Sequence, residues 1–223
     1  MHIPDGFIDI KTSAAFAAAS AVAVAGAVKG ARRQLSEQSA PLAGLTAVFI
    51  FAVQMLNFPV AAGTSGHLIG AALAMVLVGP YAATLALVVV LIIQAFLFAD
   101  GGLTALGLSI FNMAVISVWV SFAVFMLLKK IFPKTKSWLV VATFISALIS
   151  VPAAAVGFVI QYAIGANATF SVGAVLNAMV GTHIIIGIGE AIITALTVSA
   201  VLASRSDLVF GWDKKNTTLE IRS

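Results

Sequence analysis

The 223-residue chain contains no cysteine, which excludes disulfides, thiolate metal sites and a cysteine nucleophile. Charge is almost as scarce. Asp, Glu, Lys and Arg make up 9% of the residues, against about 25% in a soluble domain, so a water-soluble globule is excluded. No G-x-x-x-x-G-K-[ST] phosphate loop occurs, so the chain carries no ATP-hydrolysing machinery. No H-E-x-x-H motif occurs either, which removes an intramembrane metalloprotease. Three Trp and two Tyr are few for gripping an organic substrate. The chain therefore reads as a non-enzyme without an organic cofactor. Its formal charge of +4 is no sign of nucleic-acid binding, because the placement of the bases matters more than their sum.

What is present is hydrophobicity, at 61% of residues with a mean hydropathy of +1.13. The expectation is a single domain, 1–223, of an all-α integral membrane protein whose main solvent is the lipid bilayer. A spanning helix needs about 20 mostly apolar residues, so the charge-free runs set the spans. Lys11 to Lys29 holds one, Glu37 to Asp100 three, Asp100 to Lys129 one, and Lys136 to Arg205 two once Glu190 is intramembrane. Seven transmembrane helices result, at roughly 12–31, 41–57, 64–78, 81–98, 104–129, 137–163 and 173–203. Gly79-Pro80 separates the third from the fourth.

Basic residues cluster at Lys29, Arg32 and Arg33, at Lys129, Lys130, Lys134 and Lys136, and at Arg205, Lys214, Lys215 and Arg222. Seven helices put all three clusters on one side, four and then two crossings apart, and dropping the third helix would break this. The positive-inside rule makes that side cytoplasmic, with the C-terminus there and the N-terminus extracytoplasmic, in the cell (inner) membrane. A cleaved signal peptide would need bases before its apolar stretch, whereas Asp5 and Asp9 precede this one. Met1 is expected to survive, because the bulky His2 disfavours its removal.

The costly polar residues point to a site. His183 and Glu190 lie seven residues apart, on one face of the last helix. An ionisable group at that depth is a functional candidate. His2 and His67 share the extracytoplasmic side. The terminal amine of Met1, the amide of His2 and the His2 imidazole can close two fused chelate rings. One further imidazole completes a square of nitrogens, the geometry of Ni(II) or Cu(II), and His67 is the candidate. Pro4-Asp5-Gly6 is a turn sequence able to fold the tail, residues 1–11, back over the bundle. Thr64 and Ser65 stand ready to support the ligands.

With MHIPDG, FPVAAGTSGHLIGAALA and GTHIIIGIGEA in view, the chain resembles the NikM/CbiM family, the substrate-binding membrane subunits of nickel and cobalt energy-coupling-factor (ECF) transporters. The resemblance implies a six-helix bundle shared with vitamin-binding relatives plus an extra N-terminal helix. It also implies metal ligands from Met1, His2 and His67, with Ni(2+) or Co(2+) as transported substrate. Asp5, Thr64, Ser65, His183 and Glu190 are then supporting or coupling candidates. The implied partners are a transmembrane coupling subunit, cytoplasmic ATPase subunits and a small auxiliary membrane subunit. The competing reading is a stand-alone proton-coupled secondary metal transporter using Glu190 and His183.

Overall fold

The computed structural model describes residues 1–34, 39–60 and 64–212, without the side chains of Ser39, Phe58 and Thr64. Six helices carry the fold. They are α1 (Ile10–Gln34), α2 (Ser39–Gln54), α3 (Ala71–Leu97), α4 (Leu106–Ile131), α5 (Lys136–Gly165) and α6 (Val172–Ser204). All but α2 are long and apolar enough to cross a membrane. With 16 residues, α2 extends about 24 Å, short of a hydrocarbon core of about 30 Å. The basic tail beyond Trp212 lies outside the described residues.

Local chemistry starts the helices where the charge pattern places them. At the head of α1 the Asp9 carboxylate accepts the Lys11 and Thr12 amides at 2.8 and 3.0 Å, satisfying donors that the helix cannot. Thr135 and Ser171 cap α5 and α6 in the same way. Within α4, residues Phe111–Ile116 widen into a π turn beside a buried hydrogen bond from Asn112 Nδ2 to Gln161 Oε1.

The third expected helix takes a different form. Residues 64–66 are a strand, β2 (Thr64–Gly66), paired antiparallel with β1 (Phe58–Val60) in the register Phe58↔Gly66, Pro59↔Ser65, Val60↔Thr64. Pro59 holds the residue before it extended, and the Thr64-Ser65-Gly66 run has weak helix propensity. Helix begins only at Ala71 and is interrupted at Gly79, where φ is 80° and ψ 164°, a backbone state reserved for glycine.

Gly79 is a turning point. It lies against Gln34 at the end of α1, whereas Gly70 packs on Ile50 in the body of α2. The Val76 carbonyl accepts the Phe210 amide at 2.9 Å, placing it at the end that carries the basic clusters. Beyond Pro80 the second arm passes Gly30 with Tyr81 and ends near Asp100 and Asn57 at the opposite end. The charge-free run from Glu37 to Asp100 thus contains α2, an inward hairpin limb and two helical arms.

Candidate metal centre

The first eight residues do not trail into solvent. Met1 and Ile3 are fully buried, and Phe7 and Ile8 nearly so, within the main hydrophobic core. The predicted turn forms: the Phe7 amide donates to the Pro4 carbonyl at 3.3 Å, with Gly6 at φ 75°. Beyond it, Asp9 N–H donates to Gly165 O at 2.8 Å and Asn167 Nδ2 donates to Gly6 O at 3.0 Å. On the other side Gly102 N–H donates to Ile3 O at 2.8 Å. Asp5 accepts the Leu103 and Thr104 amides and the Thr104 hydroxyl. The Thr104 hydroxyl first, and then the two amides, hold its carboxyl below the usual range. Asp5 is thus the bolt of the tail. At Gly102 a Cβ would collide with the Asp5 amide, so the close approach requires glycine.

This anchoring carries the tail's first two residues to His67. The His2 and His67 rings lie 4.8 Å apart between centroids, tilted by 30°. His67 Nδ1 contacts the Leu68 carbonyl at 2.8 Å. A carbonyl can only accept, so Nδ1 carries the proton and Nε2 presents its lone pair. That Nε2 is buried and has no hydrogen-bond partner among the described residues. His183 repeats the arrangement, with Nδ1 at 2.7 Å from Met179 O and a buried, unpartnered Nε2. His2 Nε2 sits 3.5 Å from Asp100 Oδ2. A proton on Nε2 facing that carboxylate leaves Nδ1 as the donor, the nitrogen that a chelate with the preceding amide requires.

Burial drives the electrostatics. It lowers the Met1 amine from 8.0 to about 4 and the His2 imidazole from 6.5 to about 2, helped there by the neighbouring amine. His67 is pushed well below 6.5, again by burial first and then by the amine and His2. Asp100 moves up through burial, against the pull of the amine. The amine and the two imidazoles are therefore neutral bases at pH 7, the form in which such groups bind metal. Among the described residues no three His, Cys, Asp or Glu side chains cluster as a metal site. A site here needs the terminal amine as well as side chains.

Around His2 opens a cavity of about 470 Å³, lined by Asp5, Asn57, Ser65 and Asp100 among others. Ser65 Oγ is buried without a partner; the Thr64 side chain lies outside the description. Glu190 is not remote from this region. Residues 67–70 dip into the bundle, and the Glu190 carboxylate accepts the Ile69 and Gly70 amides at 2.6 and 3.0 Å. Sequence reasoning passed over Asp100, Asn57 and Gln54. Asp100 served only as a boundary between apolar runs, although it is the sole charge between Glu37 and Lys129.

Apolar helices, with a tail that buries Met1 and brings the His2 and His67 rings together, define a multi-pass membrane protein suited to a transition metal. Comparison with known proteins agrees. The chain belongs to the CbiM family, described as the cobalt uptake substrate-specific transmembrane region, which it matches over residues 2–208. A protein of Haloquadratum walsbyi assigned to metal transport is 40% identical over 212 residues, 94% of each chain. One of Archaeoglobus fulgidus assigned as a fused nickel transport protein is 39% identical over 209 residues, covering 94% of this chain and 68% of that one. A crystal structure described as a truncated transition metal transporter superposes with a TM-score of 0.83 at 32% identity, over 91% of this chain and 99% of the other. The protein is a substrate-specific component of nickel/cobalt transport.

Proposed function

We propose that this protein captures Ni(2+) on the extracytoplasmic face in a planar site of four nitrogens: the Met1 amine, the His2 amide and imidazole, and the His67 imidazole. The observation that carries the reading is the meeting of the His2 and His67 rings at 4.8 Å beside a fully buried Met1. Planar nitrogen ligation favours Ni(II) over Co(II), which also binds more weakly in the general affinity order. Co(2+) is the second cargo. In this reading the chain crosses the membrane seven times, counting α2 despite its length and joining the extended limb before Ala71 to the first arm of α3 as one crossing, with the basic clusters in the cytoplasm.

In this reading the protein is the capture subunit of an ECF-type importer. It hands the ion to a transmembrane coupling subunit driven by cytoplasmic ATPases, with a small auxiliary membrane subunit alongside. The rival reading, a proton-coupled carrier using Glu190 and His183, is the less supported, because both Glu190 oxygens accept backbone amides.

The test is nickel titration of the purified protein, with metal analysis and the visible absorption band of planar Ni(II). One equivalent with that band is expected. His67→Ala should fold normally yet lose high-affinity binding. Unchanged stoichiometry and affinity in that variant would remove His67 from the site.

A further inference from the structure

Residues 67–70 are non-helical backbone held inside an apolar bundle, where each unpaired amide or carbonyl is expensive. Two consecutive peptide groups there are satisfied by side chains, three of the four bonds coming from Gln54 and Glu190 on other helices. In the Ile69–Gly70 peptide, the carbonyl accepts Gln54 Nε2 at 2.7 Å and the N–H donates to Glu190 Oε1 at 3.0 Å. In the Leu68–Ile69 peptide, the N–H donates to Glu190 Oε2 at 2.6 Å and the carbonyl faces His67 Nδ1 at 2.8 Å. Gly70, the N-cap of α3, receives no side-chain cap from its own helix. Glu190 supplies one from α6.

We propose that Glu190 is a positioning residue for metal capture, acting on His67 through the intervening Leu68–Ile69 peptide. The relay runs from carboxylate to peptide N–H, through the amide plane to its carbonyl, and on to the imidazole. It is a carboxylate–histidine–metal arrangement with one peptide unit inserted. Hydrogen bonds in series polarise one another, so the close Glu190 acceptor on the N–H makes the Leu68 carbonyl a better acceptor for Nδ1–H. That strengthens Nε2 as a metal donor. The same bonds fix the ring's height in the bundle, and Gln54 braces the next peptide from α2. The proposal rests on His67 being a ligand.

Glu190→Gln tests it, since an amide presents an N–H where one backbone N–H needs an acceptor. Loss of such an outer partner typically costs 10–100-fold in metal affinity. Nickel affinity and the planar Ni(II) band should be measured in wild type, Glu190→Gln, His67→Ala and the double variant. The expected result is a loss of about tenfold or more for Glu190→Gln, with a shifted band. In the His67→Ala background, Glu190→Gln should have no further effect, because residues acting through one another are non-additive. A merely structural Glu190 would give equal losses in both backgrounds, and that result, or an unchanged affinity and band, overturns the proposal. If His67→Ala alone leaves affinity intact, the four-nitrogen reading falls instead. Should Glu190→Gln fail to fold, Gln54→Met in the same cycle must show a smaller loss that also vanishes without His67. Its absence counts equally against the relay.

Discussion

At the scale of single residues, the donors differ in how they depend on pH. A released tail carries an amine that protonates near its ordinary 8.0, whereas the docked amine protonates at about 4. Between those values the released tail binds a proton that the docked tail does not, so acid favours release. His2 adds the same effect between 6.5 and about 2. Tail docking should therefore be complete above pH 8 and weaken steadily as pH falls, most steeply from 6.5 towards 4, where both groups act. Hydrogen exchange of the Ile3 and Asp9 amides, bonded to Ser109 and Gly165 when docked, would follow this after correction for intrinsic rates. Constant protection from pH 8 to 5 would contradict it. Nickel affinity should fall over the same range, because protons and metal compete for the nitrogens.

Residue chemistry was also the most legible part of the sequence. Met1 and His2 could be paired on paper because a chelate ring depends only on covalent spacing. Their partners could not. Asp100 meets His2 across almost a hundred residues, and Glu190 meets Ile69 across |i−j| of 121. No local pattern encodes such contacts.

At the scale of elements, the tail is held by two loops, residues 98–104 and 165–167. Gly102→Val should prevent docking by driving a side chain into the Asp5 backbone. The bundle should still fold, since its helices do not depend on that loop's inner face. We expect nickel binding to fall by at least about tenfold, the scale seen when support of a metal ligand is lost, without loss of helical circular dichroism. Asp5→Ala should act in the same direction but more weakly, removing side-chain bonds while leaving the space. The break at Gly79-Pro80 was readable from the residue pair. The β1–β2 hairpin was not, because hydropathy counts apolar residues without distinguishing helix from extended chain. A run long enough for three helices therefore read as three helices.

For the whole molecule, the basic clusters and the tail sit at opposite ends of the bundle. A C-terminal tag, cytoplasmic in the proposed topology, should leave uptake intact, whereas an extension before Met1 should abolish it. The extension converts the donor amine into an amide and adds bulk where Met1 is fully buried. Uptake of radioactive nickel in cells carrying each tagged form together with the coupling subunits checks this. Protease removal restoring Met1 should recover binding. Full uptake by a protein with its N-terminal extension demonstrably retained would exclude the amine as a ligand. A multi-pass, helical architecture was legible from the apolar runs, and the positive-inside bias supplies the orientation proposed for it. The packing of the tail was not, since burial of a chain's first residues is a property of the finished bundle.

The clasp at residues 165–167 imposes an order on biogenesis. The Gly165 carbonyl and the Asn167 amide and side chain are partners of Asp9, Phe7 and Gly6. At roughly 5–20 residues per second, a ribosome needs roughly ten to thirty seconds to travel from His2 to Asn167. The tail thus waits for a partner made 161 residues after Gly6. On the proposed ligand set, the tail would be a free amine–imidazole chelator during that interval, and the cargo site could close only once residue 167 has been made.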